Sequence, residues 1–165
     1  MPRVSETIYN SLPSIEDASR DFKLNGGADH LLRDIREIIL RHGPADTWGV
    51  QLLHKHFEIG LNEMLVSFGT VSVPVSSQKM DDNTTSHISG SSWMWTCEGP
   101  TPYEFAFAQD EAKISPELLS EGFTCLQASD LSQLLGLVYL PHTAGGLEYT
   151  EGHANITLPY GVTYM

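Results

Sequence analysis

The spacing of apolar residues changes at Asp46, and that change constrains the fold more than any other feature of the chain. Before it, Leu31, Leu32, Ile35, Ile38 and Ile39 fall on one face of a 3.6-residue period, which predicts a helix. Asp29 suits its cap and Gly43-Pro44 its end. An earlier helix starts at Ser14, with Asp17 as its capping partner, and stops at Asn25-Gly26-Gly27. Residues 1–13 read as a loose arm.

After Asp46 the period is two. Trp48 to Ile59 reads as a strand, Gly60-Leu61-Asn62 as a turn and Glu63 to Phe68 as the returning strand. Further strands are expected at Gly69–Val75, Ser92–Cys97, Tyr103–Phe107, Leu137–Leu140, Leu147–Glu151 and Ala154–Pro159. Ser115-Pro116 opens a short helix that Gly122 should end, and Ser129 caps another through Leu135. The polar run 76–92 is expected to be a mobile loop or lid. Helices at the front and short strands joined by tight turns imply an α+β fold. Its sheet should be antiparallel and curled or barrel-like, with the N-terminal helix packed on it. No linker divides the chain, so residues 1–165 read as a single domain.

Composition then narrows the partners. Lys and Arg together number 9 against 21 acids, a net charge of −12. Such a chain lacks the basic footprint that phosphate backbones or anionic lipids require, which excludes nucleic acid and an anionic membrane surface. No run approaches the roughly 18 apolar residues of a membrane span. The first residues carry no apolar stretch, so a cytoplasmic location is expected. Cys97 and Cys125 are too few for a disulfide framework. Gly-x-Ser-x-Gly, phosphate-loop and dinucleotide signatures are missing, which removes the usual hydrolase, kinase and redox readings.

Chemistry concentrates in Leu52-Leu53-His54-Lys55-His56-Phe57-Glu58. In a strand, His54 and His56 leave one face about 7 Å apart. A hairpin at Gly60-Leu61 would bring Glu63 to the same face, opposite Glu58. Leu52 and Leu65 would share it, while Leu53, Phe57, Met64 and Val66 would form the core face. Trp93, Trp95, Tyr103 and Phe105 alternate on the next two strands and could wall an apolar pocket. Two His and a carboxylate form a facial metal triad in type. The pattern resembles the first motif of cupins, although Glu63, seven residues beyond His56, lies farther on than the cupin spacing. Without metal, the same residues could orient a substrate and polarise its carbonyl. Both histidines could also be structural, bonded to Glu58, Glu63 or backbone carbonyls.

Gly49-Val-Gln-Leu-Leu-His-Lys-His-Phe57, Glu63-Met-Leu-Val66 and Thr101-Pro-Tyr-Glu-Phe105 together resemble a group of small fungal proteins of largely unassigned function. Those proteins carry Leu-Leu-His-(Arg or Lys)-His, a Gly-x-x-Glu turn and Pro-Tyr-Glu-Phe. The resemblance covers roughly residues 28–158. The chain is also similar to the cofactor-free cyclases of fungal terpenoid and polyketide pathways, norbornene-forming Diels–Alderases among them. That resemblance implies a cyclase or isomerase-type enzyme with no cofactor, acting on a hydrophobic substrate in specialised metabolism. His54 or His56 would polarise a carbonyl, Glu63 would orient that His, and Leu52, Leu65, Trp93, Trp95, Tyr103 and Phe105 would bind substrate. A homodimer is allowed. The competing classes are a cupin-like enzyme using His54, His56 and Glu63 on a metal, and a non-catalytic binding or interaction module.

Overall fold

A computed structural model describes residues 6–43, 46–108, 115–142 and 146–159, without the side chains of 29–32, 82 and 159. Among these residues the sequence pattern gives helices α1 (Glu6–Asn10), α2 (Ile15–Leu24) and α3 (Gly27–His30). A π turn at Leu31–Ile35 joins α3 to α4 (Arg36–His42). The strands are β1 (Trp48–Leu52), β2 (Glu63–Phe68), β3 (Val71–Ser76), β4 (Ile88–Thr96), β5 (Gly99–Phe107), β6 (Leu135–Tyr139), β7 (Gly146–Glu151) and β8 (Ala154–Pro159). Two further helices are α5 (Asp82–Ser86) and α6 (Pro116–Ala128).

All eight strands form one sheet in the order β1-β6-β4-β5-β2-β3-β8-β7. Every pairing is antiparallel except that of β2 with β5. Laid flat, β1 and β7 would stand about 34 Å apart at the usual strand spacing of about 4.8 Å. Yet His54, two residues beyond β1, lies 3.6 Å from Glu148 on β7. The sheet therefore curls until its two ends nearly meet, as a half-barrel. The α+β expectation, with a curled and mostly antiparallel sheet and N-terminal helices, holds.

Following the register shows which residues share the inner face. Gln51 pairs with Gly136, Ser92 with Val138 and Glu104, Glu104 with Leu65, Ser67 with Ser72, Ser72 with Asn155, and Asn155 with Thr150. Paired residues lie on one face, so the inner face is lined by small and polar side chains. The outer face carries Trp48, Trp93, Leu135 and Leu137, buried against Ile35 and Ile39 of the N-terminal helices and Leu118, Phe123 and Leu126 of α6. Two irregularities bend the middle of the sheet. Ser91 and Tyr103 each fall outside the β4–β5 register, as bulged residues do.

Several local expectations change. Ile8 to Leu12 are not a loose arm: Tyr9 is 1% exposed and Leu12 4%, both in a core cluster with Leu53, Leu65, Met94 and Tyr103. Residues 1–5 lie outside the described residues, as do those beyond Pro159. The loop expected over 76–92 is shorter, because Ser77–Lys79 forms a 3-10 turn, α5 follows and β4 already begins at Ile88. Gly122 does not end α6. It lies inside the helix, where a Cβ would sit 3.1 Å from Leu137, so it serves close packing rather than termination. Ser129 is the C-cap of α6, not the start of another helix.

The largest correction concerns the β1–β2 hairpin. The strand stops at Leu52, and residues 53–59 run irregularly. Their backbone groups bond to other parts of the chain. Leu53 N–H donates to Leu134 O at 2.8 Å, Lys55 N–H to Pro13 O at 3.0 Å and Ile59 N–H to Asn10 Oδ1 at 2.9 Å. The N-terminal arm therefore competes successfully for the donors that a hairpin would have used.

Candidate functional site

The irregular segment carries His54 and His56 across the gap between the ends of the sheet. Two backbone bonds set its path: His56 N–H donates to the Tyr9 hydroxyl at 3.1 Å, and Asn10 Nδ2 donates to Ile59 O at 2.9 Å. The two imidazoles meet edge to face, with ring centroids 4.7 Å apart. The carboxylate beside them is Glu148 of β7, at 3.6 Å from His54 Nε2 and 3.8 Å from His56 Nε2. Glu63 is elsewhere. Its carboxylate accepts the Gly60 N–H at 2.7 Å and closes the 60–63 turn, where Asn62 takes a left-handed φ of 59°.

Each histidine is held differently. His54 Nδ1–H donates to the Leu52 carbonyl at 2.9 Å, so its Nε2 faces Glu148. At 3.6 Å that contact is longer than a good hydrogen bond, and Nε2 remains free to turn to another acceptor. His56 sits in a closed ring. Asn155 Nδ2–H donates to His56 Nε2 at 3.1 Å, His56 Nδ1–H reaches Thr150 Oγ1 at 3.4 Å, and Thr150 Oγ1–H donates to Asn155 Oδ1 at 3.1 Å. These tautomer and amide assignments are the set in which every donor meets an acceptor.

Charge follows from these surroundings. Burial works against a charged His54, but Glu148, the Leu52 carbonyl and Glu104 outweigh it and raise its pKa. His56 moves the other way, to about 4, through burial and the charge on His54. The facing His54 holds the Glu148 carboxyl below its ordinary range, against burial, through direct contact and through its charge. The pKa values of two rings in contact thus move in opposite directions.

A second polar group lies on the same face. The Tyr103 bulge turns both Tyr103 and Glu104 toward Gln51. Gln51 Nε2 donates to the Tyr103 hydroxyl and, at 3.4 Å, to Glu104 Oε2, which also accepts the Ser92 hydroxyl at 2.9 Å. Burial raises the pKa of Glu104, partly offset by Ser92 and Gln51. Burial also pushes the Tyr103 phenol up.

The residues expected to wall one pocket are divided between the faces. Leu65 and Tyr103 are on the histidine side. Trp93, Trp95 and Leu52 belong to the layer beneath the helices, with Trp95 against Phe123 at 5.3 Å. Phe105 packs with Met64 and Val66 in a third cluster. The aromatic stripe is core, because the outer face needs bulk to meet α6.

Glu148, Asn155, Thr150, Glu104, Gln51 and Tyr9 were not expected at this site. The two strands of the β7–β8 hairpin were expected from the sequence. Its approach to residues 54–56 was not. The ligand atoms of His54, His56 and Glu148 lie within 4.8 Å of one another, so these three could hold a metal ion. His56 would first have to give up its bond to Asn155, which occupies the Nε2 lone pair a metal would need. No family model, curated protein or solved structure matches the chain.

Proposed function

We propose that this chain is a cofactor-independent cyclase of the Diels–Alderase or isomerase type, acting on a hydrophobic terpenoid or polyketide intermediate. One observation carries the reading. The curled sheet brings two imidazoles into contact beside Glu148, with their pKa values moved in opposite directions, an arrangement suited to holding a proton at one defined atom. His54 Nε2–H donates a hydrogen bond to a substrate carbonyl, and Glu148 keeps that proton in place. The neutral His56, fixed by Asn155 and Thr150, shapes the floor beside it.

Withdrawing electron density from a carbonyl activates the double bond conjugated to it toward a diene. Two σ bonds then form from two π bonds, and no atom or electron passes to the protein. Leu65 and Met94 supply apolar wall on the same face.

The test uses a linear polyene ketone incubated with purified protein and with His54→Gln and Glu148→Gln. Losing one preorganised donor should slow cyclisation about a hundredfold. Equal rates in all three proteins would remove the assignment. Stoichiometric divalent metal that disappears in His54→Ala would replace it with a metal-dependent reading on His54, His56 and Glu148. A protein that takes up no apolar molecule would be an interaction module.

A further inference from the structure

The inner face has two different ends. At one, α1 and residues 53–62 lie across the starts of β2 and β8 and the end of β1. Tyr9, Leu12 and Ile59 are buried there. At the other, the ends of β2, β5 and β6 come together, because β2 runs parallel to β5 and β4 separates β5 from β6 with two antiparallel steps. A cleft of about 270 Å³ opens there, lined by Ser67, Thr70, Ala106, Phe107, Pro141 and His142 among others.

The register places this cleft on the inner face. Ser67 pairs with Ala106, and Ala106 with Ser89. Ser67 and Ala106 lie two residues beyond Leu65 and Glu104 on their strands. His142 leans over the opening, with Nδ1 3.3 Å from Ser89 Oγ. From the cleft a row of polar neighbours leads inward. Ser67 Oγ and Ser72 Oγ are 2.7 Å apart, Ser72 pairs with Asn155, and Asn155 bonds to His56.

We infer that the cleft between Ala106 and His142 is the mouth through which a neutral, elongated apolar molecule enters the half-barrel to reach His54. This rests on the small-molecule reading above and adds the route and the charge class. The mouth is walled by Phe107, Pro141, Ala106 and Ala108 with hydroxyls at its rim, which suits an apolar body carrying few polar groups. The chain bears a net charge of −12, and Glu104 and Glu148 stand on the inner face. A carboxylate or phosphate entering there would pass His142 at the rim and then meet two carboxyl groups, with His54 beside them, inside a chain of strongly negative net charge. Anions are therefore disfavoured.

Two probes sharing one skeleton test this: neutral N-phenyl-1-naphthylamine and anionic 1-anilinonaphthalene-8-sulfonate. Their fluorescence is titrated with the wild type, Ala106→Trp and His142→Trp, and the imidazole ¹⁵N signals of His54 are recorded alongside. We expect the neutral probe to bind at least tenfold more tightly than the sulfonate and to shift the His54 signals. Each Trp variant, blocking the mouth from opposite lips, should weaken that binding at least tenfold while the Tm shows the protein folded. Binding that shifts His54 but is unchanged in both Trp variants would overturn the route and leave the site reading intact. Tighter binding of the sulfonate would overturn the charge class. Binding that leaves His54 unshifted, as a probe resting on exposed Phe68, Leu147 and Tyr149 would, overturns the site reading itself.

Discussion

Lowering the pH from 7 to 4 isolates the energetic role of His56. Its side chain is 8% exposed, its nitrogens are engaged by Asn155 and Thr150, and its folded pKa is lowered from 6.5 to about 4. The unfolded chain takes up a proton near pH 6.5, whereas the folded protein resists it until about pH 4. Between those values the unfolded state binds more protons, so stability falls as pH falls. A shift of about 2.5 pKa units corresponds to a loss of about 3 kcal/mol across that window. His54 opposes it, because its raised pKa adds stability below about 6.5 that is lost as pH rises through the folded value. Glu148, with a lowered pKa, contributes stability present above about 4.5 and lost as pH falls through its folded value. Comparing wild type with His56→Gln cancels most of both. Urea unfolding at pH 7, 6, 5 and 4 should show the wild type losing about 3 kcal/mol relative to the variant, a large part of an ordinary domain's stability. Parallel pH profiles, or a ¹⁵N titration placing His56 at or above 6.5, would refute the account of its niche.

Other perturbations test the frame that holds the site. Gly136→Ala would put a Cβ 2.5 Å from the Trp93 carbonyl oxygen and 2.8 Å from Leu53, and backbone cannot yield as a side chain can. The urea midpoint should fall by the equivalent of about 2–3 kcal/mol, and an unchanged midpoint would contradict the β4–β6 packing. Tyr9→Phe removes the hydroxyl that accepts His56 N–H, leaving that donor unmet at a cost of about 1–2 kcal/mol, readable by the same assay. No loss would mean that α1 does not anchor the segment. Thr150→Val opens the ring around His56 and should destabilise by about 1–2 kcal/mol. Exchange broadening of the His56 signals would accompany it, and sharp, unshifted signals would argue against the ring.

Local chemistry was legible wherever neighbours in sequence decide the outcome. Ser14 accepts the Asp17 N–H, and Ser115 with Pro116 starts α6. The strands of β7 and β8 fall where alternation placed them. The misreadings share one cause. Gly122 looked like a helix stop, and Trp48 to Ile59 like one strand, because sequence spacing cannot register a competitor from elsewhere in the chain. Leu137 is the reason for Gly122. Tyr9, Asn10 and Pro13 are the reason residues 53–59 leave the sheet.

The His-x-His stretch does bring two imidazoles into contact, but the carboxylate beside them is not the one expected. Glu63 is near in sequence and closes a turn. Glu148 is near in space only because an eight-stranded sheet curls end to end. By itself the sequence determined where most strands and the starts of α2 and α6 fall and which residues can ionise, since propensity, caps and alternation act over a few residues. The tertiary structure decided which carboxylate meets which imidazole, and hence the opposite directions in which the two rings' pKa values move, because burial and Coulomb contact depend on distances set by the closure of the whole sheet.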